Sequence, residues 1–261
     1  MESGSIGVAL SGGGARGFAH AGALKAMHAM GIRPSMLAGC SAGSVVAVMT
    51  AAGLMPEEIL ELFSSVKFTD FCELSVPKNG FFKMDGFCKF LKKNIPYANL
   101  EDLPVPTTVV ATDIGRGEAV YFDRGPLVER VAASCSMPIV FQPMKVDGRH
   151  LVDGGVLHNL PAAPLRGKCD TVIGVNCSPP ANNEEYKDTI LDIAQRSYSL
   201  MAKTNAVYDS RLCDIVIETP AIAQYRVFDL SGIRDVYDNG YTSAMTTLAT
   251  HGYPMRPRER D

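Results

Sequence analysis

The sequence predicts an α/β layer fold. Short apolar runs alternate with helix-length segments from residue 6 to residue 249, the pattern of a sheet covered by helices. One of those segments, GSVVAVMTAAG, is apolar on nearly every side, which places it inside a sizeable fold. A chain of 261 residues, 46% of them hydrophobic, can bury a large core, and one domain over residues 1–261 is the simplest organisation, with its core over about 6–250.

The elements follow in order. Ile6–Leu10 reads as a buried strand, and FAHAGALKAMHAMG as a small-residue helix stopped by Gly31. SMLAG is a second short strand, and the apolar helix after it ends near Gly53. Pro56 opens the helix PEEILELFSS, with acids in its first turn where the helix dipole favours them. PVPTTVVATD is a clear strand, Gly115–Gly117 a turn, and EAVYF the strand that answers it. PLVERVAAS is a helix begun by proline. MKVDGRHLVDGG contains a hairpin turned at Asp147-Gly148, the Asp-Gly step that tight hairpins favour. DTVIGVNC is a further buried strand, 188–209 a long helix, DIVIET a late strand and 231–249 the closing helix. The tail over 254–261 is polar, and no repeat, linker or domain boundary interrupts the chain.

Bulk properties exclude several function classes. The formal net charge is −3 and no long basic run occurs, so nucleic acid is not an expected partner. No apolar stretch approaches a membrane span, and the N-terminus lacks a basic region before its short apolar run, unlike a signal peptide. Cysteines stand at 40, 72, 88, 135, 169, 177 and 213, an odd number without metal-ligand spacing, and read as free thiols of a reducing compartment. The five histidines form no metal motif. A cytoplasmic, metal-free protein is the expectation.

Two glycine-rich spots carry the chemistry. The first, ALSGGGARGF, follows the first strand, and Gly12, Gly14 and Gly17 fit G-x-G-x-x-G. A dinucleotide site also needs an acid about 20 residues on, for the ribose, and RPSMLAGCS offers none there. A Walker loop needs Gly-Lys-Ser/Thr, whereas Gly17 precedes Phe18. The second spot, Gly39-Cys40-Ser41-Ala42-Gly43, matches G-x-S-x-G between a strand and a helix. A nucleophile raised on so sharp a turn needs small neighbours, and the helix amides beside it favour developing negative charge. Ser44 reads as a packing or capping residue.

A serine hydroxyl is a weak nucleophile and needs a base. His251 lies near the polar tail, His20 and His28 on the first helix, and His150 in the hairpin; His158 in GVLHNLP is nearer to plausible chemistry, but none stands out from its context. Of the carboxylates, Asp113 sits where a strand enters a turn, and Asp153-Gly154-Gly155 is an Asp-Gly step that the hairpin does not need.

Three stretches in order resemble the sequence blocks of the patatin-like phospholipases, as in bacterial members: GGGARG at 12–17, GCSAG at 39–43 and DGG at 153–155. ATDIGRGEAVYF and AASCSMPIVFQP are also similar to that family's connecting segments, and the likeness runs from about Ile6 to Val175. The resemblance implies a three-layer α/β/α fold with a central, mainly parallel sheet, and a Ser–Asp pair without histidine. Carried onto this chain, Ser41 is the nucleophile and Asp153 the base, with Gly12, Arg16, Gly17, Gly39, Gly43, Gly154 and Gly155 as supporting positions. Desolvation would raise the proton affinity of Asp153 toward that of a usable base. The amides of Gly13 and Gly14 would donate to the oxyanion, and Arg16 would brace the loop, attract an anionic head group or form a salt bridge. Neither a metal nor an organic cofactor is required. The implied substrates are fatty acyl esters of phospholipids or lysophospholipids. A soluble carboxylesterase or acyl thioesterase, or a catalytically weak lipid-binding or regulatory protein, are the alternatives.

Residues 67–94 differ in texture. Phe68, Phe71, Phe81, Phe82, Phe87 and Phe90 are interleaved with Lys67, Lys78, Lys83, Lys89, Lys92 and Lys93. Aromatic bodies beside lysines suit the edge of an anionic membrane. The segment is therefore expected to cover the Ser41 cleft, line an acyl tunnel and touch lipid peripherally, or else to fill the core under a cap helix.

Overall fold

The computed structural model describes residues 4–71, 73–74, 80–178 and 189–254. Cys72, Lys78, the side chain of Phe68 and the tail beyond Pro254 lie outside the described residues. The strands are β1 (Ile6–Leu10), β2 (Met36–Cys40), β3 (Glu73–Leu74), β4 (Phe82–Lys83), β5 (Thr107–Asp113), β6 (Glu118–Phe122), β7 (Met144–Val146), β8 (Arg149–Asp153), β9 (Thr171–Asn176) and β10 (Ile215–Glu218). The helices are α1 (Phe18–Ala29), α2 (Ala42–Ala51), α3 (Pro56–Ser64), α4 (Asp85–Asn94), α5 (Leu127–Ser134), α6 (Ile190–Asp209) and α7 (Ile233–Thr250).

One eight-stranded sheet runs β10-β9-β1-β2-β5-β8-β7, with β6 on the free edge of β5. The strands from β10 to β5 are parallel, and β6, β7 and β8 add antiparallel pairs. Side chains alternate across the pleat. Val8, Leu10, Leu37, Ile173 and Val175 face the larger core, shared with α1, α2, α3 and α7. Ala9, Ala38 and Val172 face the opposite layer, where Leu160, Leu165 and Ala206 of α6 cover them. This is the three-layer arrangement expected. The hairpin turns where the Asp-Gly step predicts, with positive φ at both Asp147 (50°) and Gly148 (75°).

One feature of register positions the site. β2 pairs with β5 as far as Cys40 opposite Val110, and β8 pairs with the same strand from Asp153 opposite Ala111. Because β6 already occupies Val109–Asp113 from the other side, β2 and β8 must share one edge of β5, end to end. The C-terminal ends of both strands therefore meet, and residues 112 apart in sequence, Ser41 and Asp153, leave the sheet at one point.

Candidate active site

Ser41 stands between β2 and α2 with φ 50° and ψ −125°, a conformation that costs a non-glycine residue about 1–3 kcal/mol. Tight packing holds it there. A Cβ at Gly39 would lie 2.5 Å from the Gly43 carbonyl oxygen, and one at Gly43 would strike the Leu10 carbonyl, so the turn closes only with glycine on both sides. The Ser41 amide donates to Ser134 Oγ at 2.8 Å, and the Ser134 hydroxyl donates onward to the Val110 carbonyl at 2.6 Å. Ser44 caps the same turn, its hydroxyl donating to the Ser41 carbonyl at 2.6 Å.

Asp153 is buried at the end of β8. Its Oδ1 accepts from the Gly155 amide at 2.9 Å, from the Tyr198 phenol at 2.7 Å and from the Cys40 thiol at 3.6 Å. Burial raises its pKa above the ordinary aspartate value, and hydrogen bonds pull the other way, beginning with one from the Ser41 hydroxyl and then those from Gly155, Tyr198 and Cys40. Burial beside that carboxylate also pushes the Tyr198 phenol and the Cys40 thiol well up, so both remain protonated donors. Gly154 lies against Val110 and Cys40, and Gly155 against Tyr198 and Asn159.

The glycine run forms a short 3-10 turn, Gly14–Gly17, between β1 and α1. Gly14 has φ 57° and no room for a side chain beside Val227, while Gly17 packs on Ala42. The turn is tied down on all sides: the Gly12 amide donates to the Asn159 carbonyl, Ser178 Oγ to the Gly12 carbonyl, and the Ala15 amide to the Val227 carbonyl. Among the described residues, the amides of Gly13 and Gly14 donate to no protein acceptor. The buried Arg16 guanidinium donates to the carbonyls of Tyr225 at 2.7 Å and Ala223 at 2.9 Å, and so braces the 223–225 turn against the glycine loop.

Two chambers meet at Ser41. The larger, about 120 Å³, is apolar, walled by Val45, Val46, Phe63, Phe71 and Phe87 among others. The smaller, about 60 Å³, is the more polar of the two and reaches Asp153, Asn159, Arg196 and Lys203. Gly14, Phe141, Val227 and Phe228 border both.

Of residues 67–94, Phe71 and Phe87 are buried and line the apolar chamber, whereas Phe81 and Phe90 are half-buried and lie off it. Lys67, Lys83, Lys89, Lys92 and Lys93 face outward. Its buried phenylalanines stack edge-on, Phe71 on Phe87 at 5.7 Å, and the same two rings form part of the chamber wall beside Ser41.

The remaining candidates are accounted for elsewhere. Asp113 is buried at the β5–β6 turn, where its Oδ1 accepts from the amides of Gly115 and Arg116. His158 Nδ1 lies 2.8 Å from Asp209 Oδ1, and that bond raises its pKa against the effect of burial. His20 is buried, with Nε2 2.7 Å from the Ser11 carbonyl oxygen, and burial lowers its pKa to about 4. His150 and His251 are exposed. Ser134 and Tyr198 are the two contributors that sequence inspection missed. Neither belongs to a local motif, although AASCS at 132–136 and the long helix were both visible.

A family model described as patatin-like phospholipase matches residues 8–166. An uncharacterized NTE family protein of Mycobacterium tuberculosis is 34% identical over 212 residues, 78% of this chain and 58% of that protein. The neuropathy target esterase sws of Drosophila melanogaster is 32% identical over 169 residues, 60% of this chain and 12% of that one. Among solved structures, VipD from Legionella pneumophila superposes with a TM-score of 0.64 at 16% identity, over 95% of this chain and 67% of that chain, a likeness of fold. The chain thus spans little more than half the length of its mycobacterial relative.

Proposed function

The chain belongs to the patatin-like phospholipase family, and from that premise we propose that it is a serine acyl hydrolase that cleaves fatty acyl esters of lipids. Ser41 attacks the acyl carbonyl and passes its proton to Asp153. The oxyanion takes the free amides of Gly13 and Gly14, an interaction that is worth about 2.7–4 kcal/mol per donor in comparable sites. Asp153 returns the proton to the departing alkoxide. Water then attacks the acyl ester, gives a proton to Asp153, and the Ser41 oxygen recovers it as the fatty acid leaves.

The observation that carries this reading is the meeting of two chambers at a strained, backbone-pinned serine beside a buried carboxylate. The apolar chamber suits an acyl chain. The more polar one, with Arg196 and Lys203 on one side of α6, suits an anionic leaving group such as a phosphate-bearing glycerol. Arg16 serves as a brace in this scheme, because its guanidinium is engaged by the carbonyls of Tyr225 and Ala223. The outward lysines of 67–94 suit peripheral contact with an anionic bilayer, and flotation with phosphatidylglycerol vesicles at low salt checks it.

The test is a matched substrate panel: a lysophospholipid, a diacyl phospholipid, a monoacylglycerol and an acyl thioester sharing one chain, with a short water-soluble ester as reference. Preferential turnover of the phosphate-bearing esters is expected. Fast turnover confined to the thioester or the short ester would replace the lipid assignment with a soluble thioesterase or carboxylesterase. No turnover on any of them would favour a lipid-binding or regulatory role.

A further inference from the structure

α6 crosses the end of β8, and its inner face is spaced for contact along its whole length: Tyr198, Ala202, Asn205, Ala206 and Asp209 fall on one side of the helix. Three of them hold the loop that carries Asp153. Asn205 Nδ2 donates to the carbonyls of Gly155 at 3.1 Å and Val156 at 2.8 Å. Asp209 Oδ2 accepts from the Leu160 amide at 3.1 Å, and its Oδ1 meets His158. Tyr198 reaches furthest in, its phenol 2.7 Å from Asp153 Oδ1.

We propose that Tyr198 is the positioning residue of the Ser41–Asp153 pair: its phenol, anchored through α6, pins Oδ1 so that Oδ2 is the oxygen that takes the serine proton. The inference rests on the hydrolase assignment above. Two observations support it independently. The amide of Gly155, the phenol of Tyr198 and the thiol of Cys40 all end on Oδ1, so that oxygen has its full set of donors and a proton is received more readily by the other. The second glycine of Asp-Gly-Gly is also explained. A Cβ at Gly155 would overlap the Tyr198 hydroxyl, so the loop is shaped to admit the phenol.

The phenol donates to the charged carboxylate, and this favours ionised Asp153 against the opposing effect of burial. The other titratable and charged groups around the carboxylate include Cys40 from β2, Cys135 after α5, the His158–Asp209 pair on the same loop and α6, and Arg16, Arg196 and Lys203 on the wall of the second chamber. Both thiols are held protonated by burial. None of these is removed by changing Tyr198.

The test is the pH profile of Ser41 labelling by a fluorophosphonate and of kcat/KM on a short ester, in wild type and Tyr198→Phe. Ionised Asp153 is the active form, so activity rises with pH through its pKa. Loss of the phenol donor is expected to move that acid limb upward by about one to two pH units, the effect of one charge-assisted hydrogen bond. Rates at high pH should be largely restored. A merely structural role lowers activity by the same factor at every pH, and an unmoved limb overturns the proposal. If Y198F does not fold, difluorotyrosine placed at position 198 keeps the shape and strengthens the donor. The limb should then move down, and no movement again overturns the proposal. Failure of wild type to label at Ser41 would instead refute the hydrolase assignment on which the inference rests.

Discussion

Ser134→Ala isolates the backbone hold on Ser41 without touching either member of the pair. The variant removes the acceptor of the Ser41 amide and the donor to the Val110 carbonyl. Ser134 is fully buried, so water does not readily replace those bonds. An unsatisfied buried group costs about 1–3 kcal/mol, and with one such group partly relieved by relaxation we expect a loss of about 2 kcal/mol. For a chain of this size that is roughly 4–8 °C in Tm. The same bonds keep Ser41 in its positive-φ conformation, and a shift of about 1 Å at a reacting atom can cost about a hundredfold in rate. S134A should therefore lose between about tenfold and a hundredfold in kcat on a short soluble ester, with KM little changed. Differential scanning fluorimetry and steady-state kinetics read both quantities. Ser136→Ala is the control, because the Ser136 hydroxyl donates only within its own turn, to the Ala132 carbonyl. A variant S134A that melts early yet keeps full kcat would show that the serine contributes to stability and not to the shape of the nucleophile turn.

Two further outcomes concern the chambers. In wild type, kcat/KM should rise roughly fourfold per added methylene while the chain lies in apolar surroundings, from about 0.8 kcal/mol per buried CH₂. Phe71→Ala and Phe87→Ala should flatten that slope and spare the shortest ester; a parallel loss on all chain lengths would assign both rings to core packing alone. Arg196→Ala and Lys203→Ala should lower kcat/KM on a lysophospholipid by up to about tenfold relative to the monoacylglycerol of the same chain, and equal losses on both would remove the anionic leaving-group assignment.

What was legible in the sequence was local. The order of the principal strands and helices, the Asp147-Gly148 hairpin and the turn around Ser41 each depend on neighbours within a few residues, where glycine, proline and apolar spacing act directly. The meeting of Ser41 with Asp153 was reached through three motifs in order, and its physical cause is a register: β2 and β8 divide one edge of β5 between them. Nothing in either strand alone announces that division. Ser134 and Tyr198 were illegible for the same reason, since a hydroxyl 93 residues from its partner amide and a phenol 45 residues from its partner carboxylate leave no spacing signal. For Arg16 the sequence offers brace, anion site and salt bridge alike, and its bonds to the carbonyls at 223 and 225 depend on a chain segment more than 200 residues away. In the phenylalanine-rich stretch, Phe81 looked equivalent to Phe87, yet α4 turns Phe87 into the chamber while Phe81 lies ahead of the helix, its amide bonded near Ile139.

The central claim is that Ser41 is the nucleophile and Asp153 its base. The most direct measurement is the rate of covalent modification by a fluorophosphonate ester, with the modified residue identified by peptide mass spectrometry, in wild type, Ser41→Ala and Asp153→Asn. The account predicts a single adduct on Ser41 in wild type and none in S41A. It predicts labelling slowed by at least about a hundredfold in a folded D153N, the scale of a lost general base. An adduct on another residue, or D153N labelling at the wild-type rate, would contradict it.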